Sequence, residues 1–423
     1  MTRDFRGYAH GDDGILFLPM KLVTLPADSV LIGQPLPFSL RDVEGLLLAK
    51  KGVVFQSKNE LNTLVANRSH LYIDLVESEL HRRAYMGRLH ALINNDTQLG
   101  QIAGTQMSTA DRSPERAGPD DAPTDWLGLQ AQANTVLRDA SAPHFLKRLE
   151  QLQYQLAQLA RCNPDGLLLA LFQLSASELK LYSATHAMLV SAICGIAVRD
   201  VLHWPTALEH SVCQAALTMN ISMTDLQDRL ALQLEPPEAE QRLQIDRHAE
   251  RSVMLLDQAG VHDSVWLEAI QAHHHVASGA LANKTEGLRL ARLIQRADMF
   301  AARLAPRATR RPSSSAAAMQ ASYFDENRQV DEAGAALIKA VGIYTPGSFV
   351  RLATQEIAVV VRRGRNTTTP RVAVIINREG MPTVEPLVRD TAQREYAIVA
   401  SVAHSDVRVK LNVQRLLTLC RPG

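Results

Sequence analysis

The chain has 423 residues, 46% of them apolar, with 45 Lys+Arg against 44 Asp+Glu. At roughly 100 to 200 residues per domain, this length predicts two or three units. Charges so evenly balanced create no global field, which excludes a bulk nucleic-acid or polyanion binder and leaves room for a small charged ligand.

The first residues, Met1-Thr2-Arg3-Asp4-Phe5-Arg6-Gly7, lack an apolar signal region, and the uncharged run from Ala187 to Val198 is too short to span a bilayer. Cys162, Cys194, Cys213 and Cys420 lie far apart without a CxxC pair, which predicts buried free thiols in a reducing compartment. A soluble cytoplasmic protein without a membrane span is expected.

In chain order, Leu31 to Phe38 and Leu46 to Gly52 are short apolar strips punctuated by Gly and Pro, the grammar of strands and turns. A short helix at Lys58 to Asn67 and a closing strand Leu71-Tyr72-Ile73-Asp74 complete a small β-rich or α+β module over 1–100. Residues 101–125 offer almost nothing to bury and read as a flexible linker. From Trp126 to Leu304 helical periodicity dominates, as in Phe145, Leu149, Leu152, Leu156 and Leu159, and predicts a bundle of six to eight helices.

A break at Pro306 to Ser315 ends the main bundle, and Gln329 to Val341 reads helical again, so the helical domain spans 126–342. Alternation in Phe349 to Leu352, Ile357 to Val361 and Val372 to Ile376, with turns at Gly364 and Gly380, predicts a β-meander that closes the domain over 343–423 with a final helix. The fold class is mainly α.

Five residues of the helical domain are candidate metal ligands: His186, His248, His273, His274 and Asp298. Imidazole and carboxylate suit divalent iron, manganese, zinc or nickel, and helix bundles build such centres from distant helices. His273-His274-His275 lies midway between His248 and Asp298. The segment that would supply a bridging carboxylate, Ala215 to Ile221, contains none.

The order Thr185-His186, Ala215-Ala216-Leu217, His248, His273-His274, Gly279 and Arg296-Ala297-Asp298-Met299-Phe300 resembles the HD-GYP branch of the HD phosphohydrolase superfamily. Those are bacterial metal-dependent phosphodiesterases that hydrolyse cyclic di-GMP. The run Tyr344 to Leu352 followed by Glu356 to Val361 is similar to the β-meander that closes many such domains. Gly33, Pro35, Leu36 and Leu46 to Gly52 are similar to small modules found ahead of them.

The departures fall on the defining residues. Where the family has His-Asp, an apolar residue, Gly and Lys, this chain has Met219-Asn220-Ile221-Ser222-Met223. The resemblance implies that the lost Asp bridges metals and the lost His binds one; a neutral carboxamide is a poor bridge and a thioether is too soft for a hard hydrolytic metal. Where the paired histidines continue with Glu, two variable residues and Asp-Gly-x-Gly-Tyr-Pro, this chain has His275 to Asn283 and keeps only Gly279 of the glycines. That loop shapes the substrate pocket in the family.

Each residue admits a structural reading beside the functional one. His273 and His274 either hold metal, as a mononuclear site with His248, or cap and pack; His275 reads as a partly exposed polar residue, with ligation the alternative. His186 is either a ligand or a satisfied core histidine, and Asp298 either a ligand or an ion-pair partner of Arg292 and Arg296. Arg303, Arg307, Arg310 and Arg311 read as a solvated basic linker, with phosphate binding the alternative. Arg362-Arg363-Gly364-Arg365 reads as a hydrated hairpin turn.

Two functions follow. One is a catalytically degenerate scaffold or sensor in cyclic di-GMP pathways, acting through signalling partners or ligand binding, with homodimerisation open. The other is a weakly active metal-dependent phosphodiesterase on cyclic di-GMP or a related nucleotide.

Overall fold

The computed structural model describes residues 124–177, 179 and 181–421, and from the N-terminal part 22–25, 30, 32–34, 36, 39–42, 47–49, 53–58, 60–61 and 71–74. The chain divides into two compact units, Met1–Ala122 and Pro123–Gly423. The predicted linker, apart from 124 and 125, and most of the helix predicted at 58–67 lie outside the described residues.

In the N-terminal unit β1 (Leu22–Leu25), β2 (Leu40–Arg41), β3 (Leu47–Ala49) and β4 (Leu71–Asp74) form one sheet in the order β1-β4-β2-β3. Val30, Leu36, Leu40, Phe55, Leu61 and Leu71 make its small core.

Among the described residues the second unit begins with ten α-helices between Trp126 and Leu304 rather than six to eight. They are α1 (Trp126–Leu137), α2 (Phe145–Cys162), α3 (Pro164–Ser177), α4 (Tyr182–Ala197), α5 (Thr206–Thr218), α6 (Thr224–Leu232), α7 (Ala239–Asp246), α8 (His248–Gln258), α9 (Ser264–Ala272) and α10 (Glu286–Leu304). The surplus arises where the chain bends without a strong breaker: α7 passes into α8 through Arg247 alone. Two further helices, α11 (Ser315–Tyr323) and α12 (Glu332–Val341), complete the bundle. The last starts at Glu332 and not at Gln329, because the Asp331 carboxylate accepts from Gly334 N–H and fixes the N-terminus there.

Helix α4 is the axis of the bundle. All its residues are buried, and it packs against α1, α2, α3, α5, α6, α10 and α12. A helix apolar all round belongs in a core. With the π-turn Val198–Leu202 the stretch reaches 21 residues, long and apolar enough by length and composition to cross a membrane, yet 78% of that apolar window is buried inside the bundle, as in a core helix. Close approach to α5 explains Gly195, where a Cβ would stand 2.8 Å from Cys213 Sγ. Cys194, Cys213 and Cys420 are buried free thiols as expected, whereas Cys162 is exposed.

Helix α10 shows why a polar-rich sequence still forms a core helix. Thr285 Oγ1 accepts from Leu288 N–H at its start, and Leu290, Leu293, Ile294, Ala297, Phe300, Ala301 and Leu304 repeat at three- and four-residue steps as its buried stripe.

Five antiparallel strands follow: β5 (Phe349–Leu352), β6 (Ile357–Arg362), β7 (Arg371–Ile376), β8 (Pro382–Asp390) and β9 (Ile398–Val402), in the order β8-β7-β6-β5-β9. The meander therefore returns so that β9 lies beside β5. Period-two alternation splits the apolar residues into two buried sets. Phe349, Val359, Val361, Ala373 and Ile375 cluster with Leu169 of α3 and with Leu416 and Cys420 of α13 (Val413–Cys420), while Val350, Leu352, Ala358, Val360, Val372 and Val374 form the other. Burial on both faces is why these strands read as continuous apolar runs.

Arg363 is not a hydrated turn residue. Its Nε donates to Asp165 Oδ1 at 2.5 Å and its Nη1 to the Ala340 carbonyl at 2.5 Å, tying the sheet to α3 and α12.

Candidate metal centre

Helix ends place the histidines. The carbonyls in the last turn of an α-helix lack intrahelical partners, and imidazole N–H groups are favourable at that negative end. His248 Nδ1 meets the carbonyl of Ile245, in the last turn of α7, at 2.5 Å. His273 Nδ1 meets the carbonyl of Ile270, in the last turn of α9, at 2.6 Å. Each contact requires the Nδ1 proton, so in the neutral ring each Nε2 keeps a bare lone pair.

Those lone pairs converge. His248 Nε2 lies 3.2 Å from His273 Nε2 and 3.2 Å from His274 Nε2, and ligand atoms of the three rings all fall within 4.8 Å of one another. Burial pushes the His273 imidazole down to about 3, helped by its histidine neighbours, and it lowers His248 and His274 too. All three rings are therefore neutral at neutral pH. Two bare nitrogens 3.2 Å apart repel unless a cation sits between them. A tetrahedral ion with bonds of about 2.0–2.1 Å separates its nitrogen ligands by about 3.3 Å, close to the spacing here. His248 and His273 are buried at 2% and 1% exposure while His274 is exposed, so the cluster opens to solvent on one side. These three residues fit one divalent ion. His275 is exposed and stands outside the cluster.

His186 and Asp298 form a separate pair. His186 Nε2 donates to Asp298 Oδ1 at 2.7 Å, and its ring stacks on Tyr182 with centroids 5.5 Å apart. His186 Nδ1 is buried without a hydrogen-bond partner. Burial works to raise the Asp298 carboxyl, but the His186 hydrogen bond and the neighbouring imidazoles of His273 and His274 outweigh it and hold the group at about 2. An ionised carboxylate thus stands within electrostatic reach of the triad.

The arginines expected beside Asp298 face elsewhere. Arg292, fully buried, donates to Asp331 Oδ2 at 2.5 and 2.8 Å and to both oxygens of Glu326, and Arg296 donates to Glu326 at 2.8 Å. Asp331 and Glu326 escaped the sequence reading; two cations one turn apart on an otherwise apolar helix face were the signal that such partners exist.

Met219 is fully buried in the main core, and Asn220 Oδ1 is buried without a hydrogen-bond partner. Both precede Ser222, whose hydroxyl donates to the His248 carbonyl at 2.8 Å, so the segment packs against the start of α8. It presents no carboxylate, and a binuclear centre held by a bridging Asp does not fit these residues.

The loop after the histidines is closed down on itself. Leu281 N–H donates to Glu332 Oε2 at 2.7 Å, Lys284 Nζ to the carbonyls of Ala277 and Ser278, and Arg289 Nε to those of Leu281 and Lys284.

Nor is the basic segment after α10 wholly solvated. Arg307 Nη2 donates to the Tyr182 hydroxyl at 3.0 Å, its guanidinium lies over that ring, and its Nε is buried without a partner. Among the described residues no carboxylate pairs with Arg303, Arg307, Arg310 or Arg311. Burial, with the charges of Arg307 and Arg303, lowers Arg310. Such self-repelling guanidinium groups favour an anion.

No family model matches the chain, and no curated protein does. Among solved structures the chain is similar to Bd1817, described as an HDG"Y"P protein from Bdellovibrio bacteriovorus. The TM-score is 0.37 at 13% identity, over 75% of this chain and 98% of that one.

Proposed function

We propose that the chain is a catalytically degenerate HD-GYP-like protein that holds one divalent ion on His248, His273 and His274 and acts in cyclic di-GMP signalling as a sensor or scaffold. The observation that carries this reading is the 3.2 Å convergence of neutral Nε2 atoms next to a segment where Met219 and Asn220 replace the bridging pair. An ion held by His248, His273 and His274 would supply a Lewis-acid centre. The chain's own residues orient it: two carbonyls fix the tautomers of His248 and His273. Arg307 and Arg310 near Tyr182, with Arg303 acting on Arg310, have no carboxylate partner among the described residues and support an anionic ligand such as a nucleotide phosphate.

A second reading, a weakly active phosphodiesterase, draws on Asp298. Its carboxylate stays ionised near His273 and His274 and can serve as a further donor.

Metal analysis of purified protein, with cyclic di-GMP turnover in added manganese or iron, separates the two. About one equivalent of metal, lost in His273→Ala and in the more exposed His274→Ala, with no turnover, supports the first. Turnover that disappears in those variants replaces it with the second, and metal near zero sinks both.

A further inference from the structure

His274 is the ligand that burial does least to hold, for it is exposed where His248 and His273 are enclosed. Neither of its ring nitrogens touches a backbone carbonyl among the described residues, so the lock that orients its two partners is missing. Its main chain is held instead. Gln295 Nε2 donates to the His274 carbonyl at 3.1 Å, and Gln295 Oε1 accepts from Arg292 Nη1 at 2.7 Å. The same Nη1 donates to the Val276 carbonyl at 2.8 Å, so one guanidinium grips the turn on both sides of His275. The amide orientation is unambiguous, since Arg292 can only donate and a carbonyl can only accept. Arg292 is itself fixed by Asp331 and Glu326.

We infer that Gln295, anchored by Arg292, is a positioning residue that sets the His274 backbone so that its Nε2 meets those of the other two histidines. The inference rests on the histidine-site reading above. Partners that orient a metal ligand change affinity by about 10- to 100-fold when lost, and a contact that holds the ligand's main chain is expected at the lower end of that range. Nothing in the helical pattern of α10 requires a glutamine at 295; its half-buried side chain is aimed at the histidine turn rather than into the core.

The test is competition titration of Zn2+ and Co2+ against a chelating dye in the full-length protein, comparing wild type, Gln295→Met and Gln295→Glu. The Co2+ absorption spectrum and the unfolding midpoint of the metal-free protein are read alongside. Gln295→Glu still accepts from Arg292 but cannot donate to His274, whereas Gln295→Met does neither. Gln295→Met is expected to bind about 10-fold more weakly and Gln295→Glu less weakly than that, because its added carboxylate attracts the ion, both with an altered Co2+ spectrum. A wild-type Co2+ spectrum in Gln295→Glu assigns the residue to supporting Arg292 and overturns the inference, as does wild-type affinity in Gln295→Met. If wild type binds no ion, the histidine site itself fails and the inference with it.

Discussion

The imidazoles of His248 and His273 keep their Nδ1 protons on carbonyls three residues back, and the Asp298 carboxylate acts electrostatically on all three rings of the triad. Asp298→Asn should weaken metal affinity by about tenfold or more, since a carboxylate several ångströms from a divalent ion contributes more than about 1.4 kcal/mol at an effective dielectric near 20. Stoichiometry should stay unchanged, because the three histidines remain. Titration against a chelating dye checks this, and loss of the ion would make Asp298 a ligand. On the proposed reading, Met219→His together with Asn220→Asp should yield no cyclic di-GMP turnover, since the loop from Val276 to Lys284 stays held by Glu332 and Arg289. Glu326 offers a pH test. The hydrogen bond from Arg292 holds its carboxyl at about 2, below its ordinary 4.5, so its stabilisation is complete above about 4.5 and is lost as pH falls towards 2. Glu326→Gln should therefore cost about 1 kcal/mol at neutral pH, discounted for a half-exposed group, with the gap to wild type closing in acid. At this scale the spacing of His248, His273 and His274 made the triad legible. The partner of Asp298 was not, because His186 lies on a helix more than a hundred residues earlier and only packing brings the two together.

Among elements, the join of α10 to α12 is held by a cluster of buried charge. Asp331 both caps α12 and neutralises Arg292, so Asp331→Ala should destabilise by about 3 kcal/mol or more in chemical denaturation, leaving buried guanidinium groups short of a carboxylate. The sheet meets the bundle at Gly347, whose φ is +95° and where a Cβ would lie 2.8 Å from Phe172 Cβ. Gly347→Ala should lower the melting temperature through both strain and contact, visible by calorimetry. The helical character of 126–304 was legible because long stripes such as Leu149, Leu152 and Leu156 repeat cleanly. The number of helices was not, since periodicity persists through a one-residue break such as Arg247. The strands β6 and β7 were legible as apolar runs, but β9 pairing back onto β5 depends on contacts distant in sequence.

At the scale of the molecule, bundle and sheet share one compact unit. Leu169 of α3 sits in the same cluster as Phe349, Val359 and Leu416, and Arg363 bonds across to Asp165. Ending the chain at 342 should uncover that cluster and give aggregation-prone protein, whereas residues 123–423 should unfold in a single calorimetric transition. The change from helices to strands near 342 is a change of pattern and not a gap in packing. The two carbonyl locks, finally, bear on how an ion comes and goes. Since folding itself aligns His248 and His273, most of the ordering entropy for the site is spent before any ion arrives. Loading should then be reversible: a chelator would strip the protein without melting its helices, leaving an exchangeable site whose occupancy follows the free-ion concentration around it.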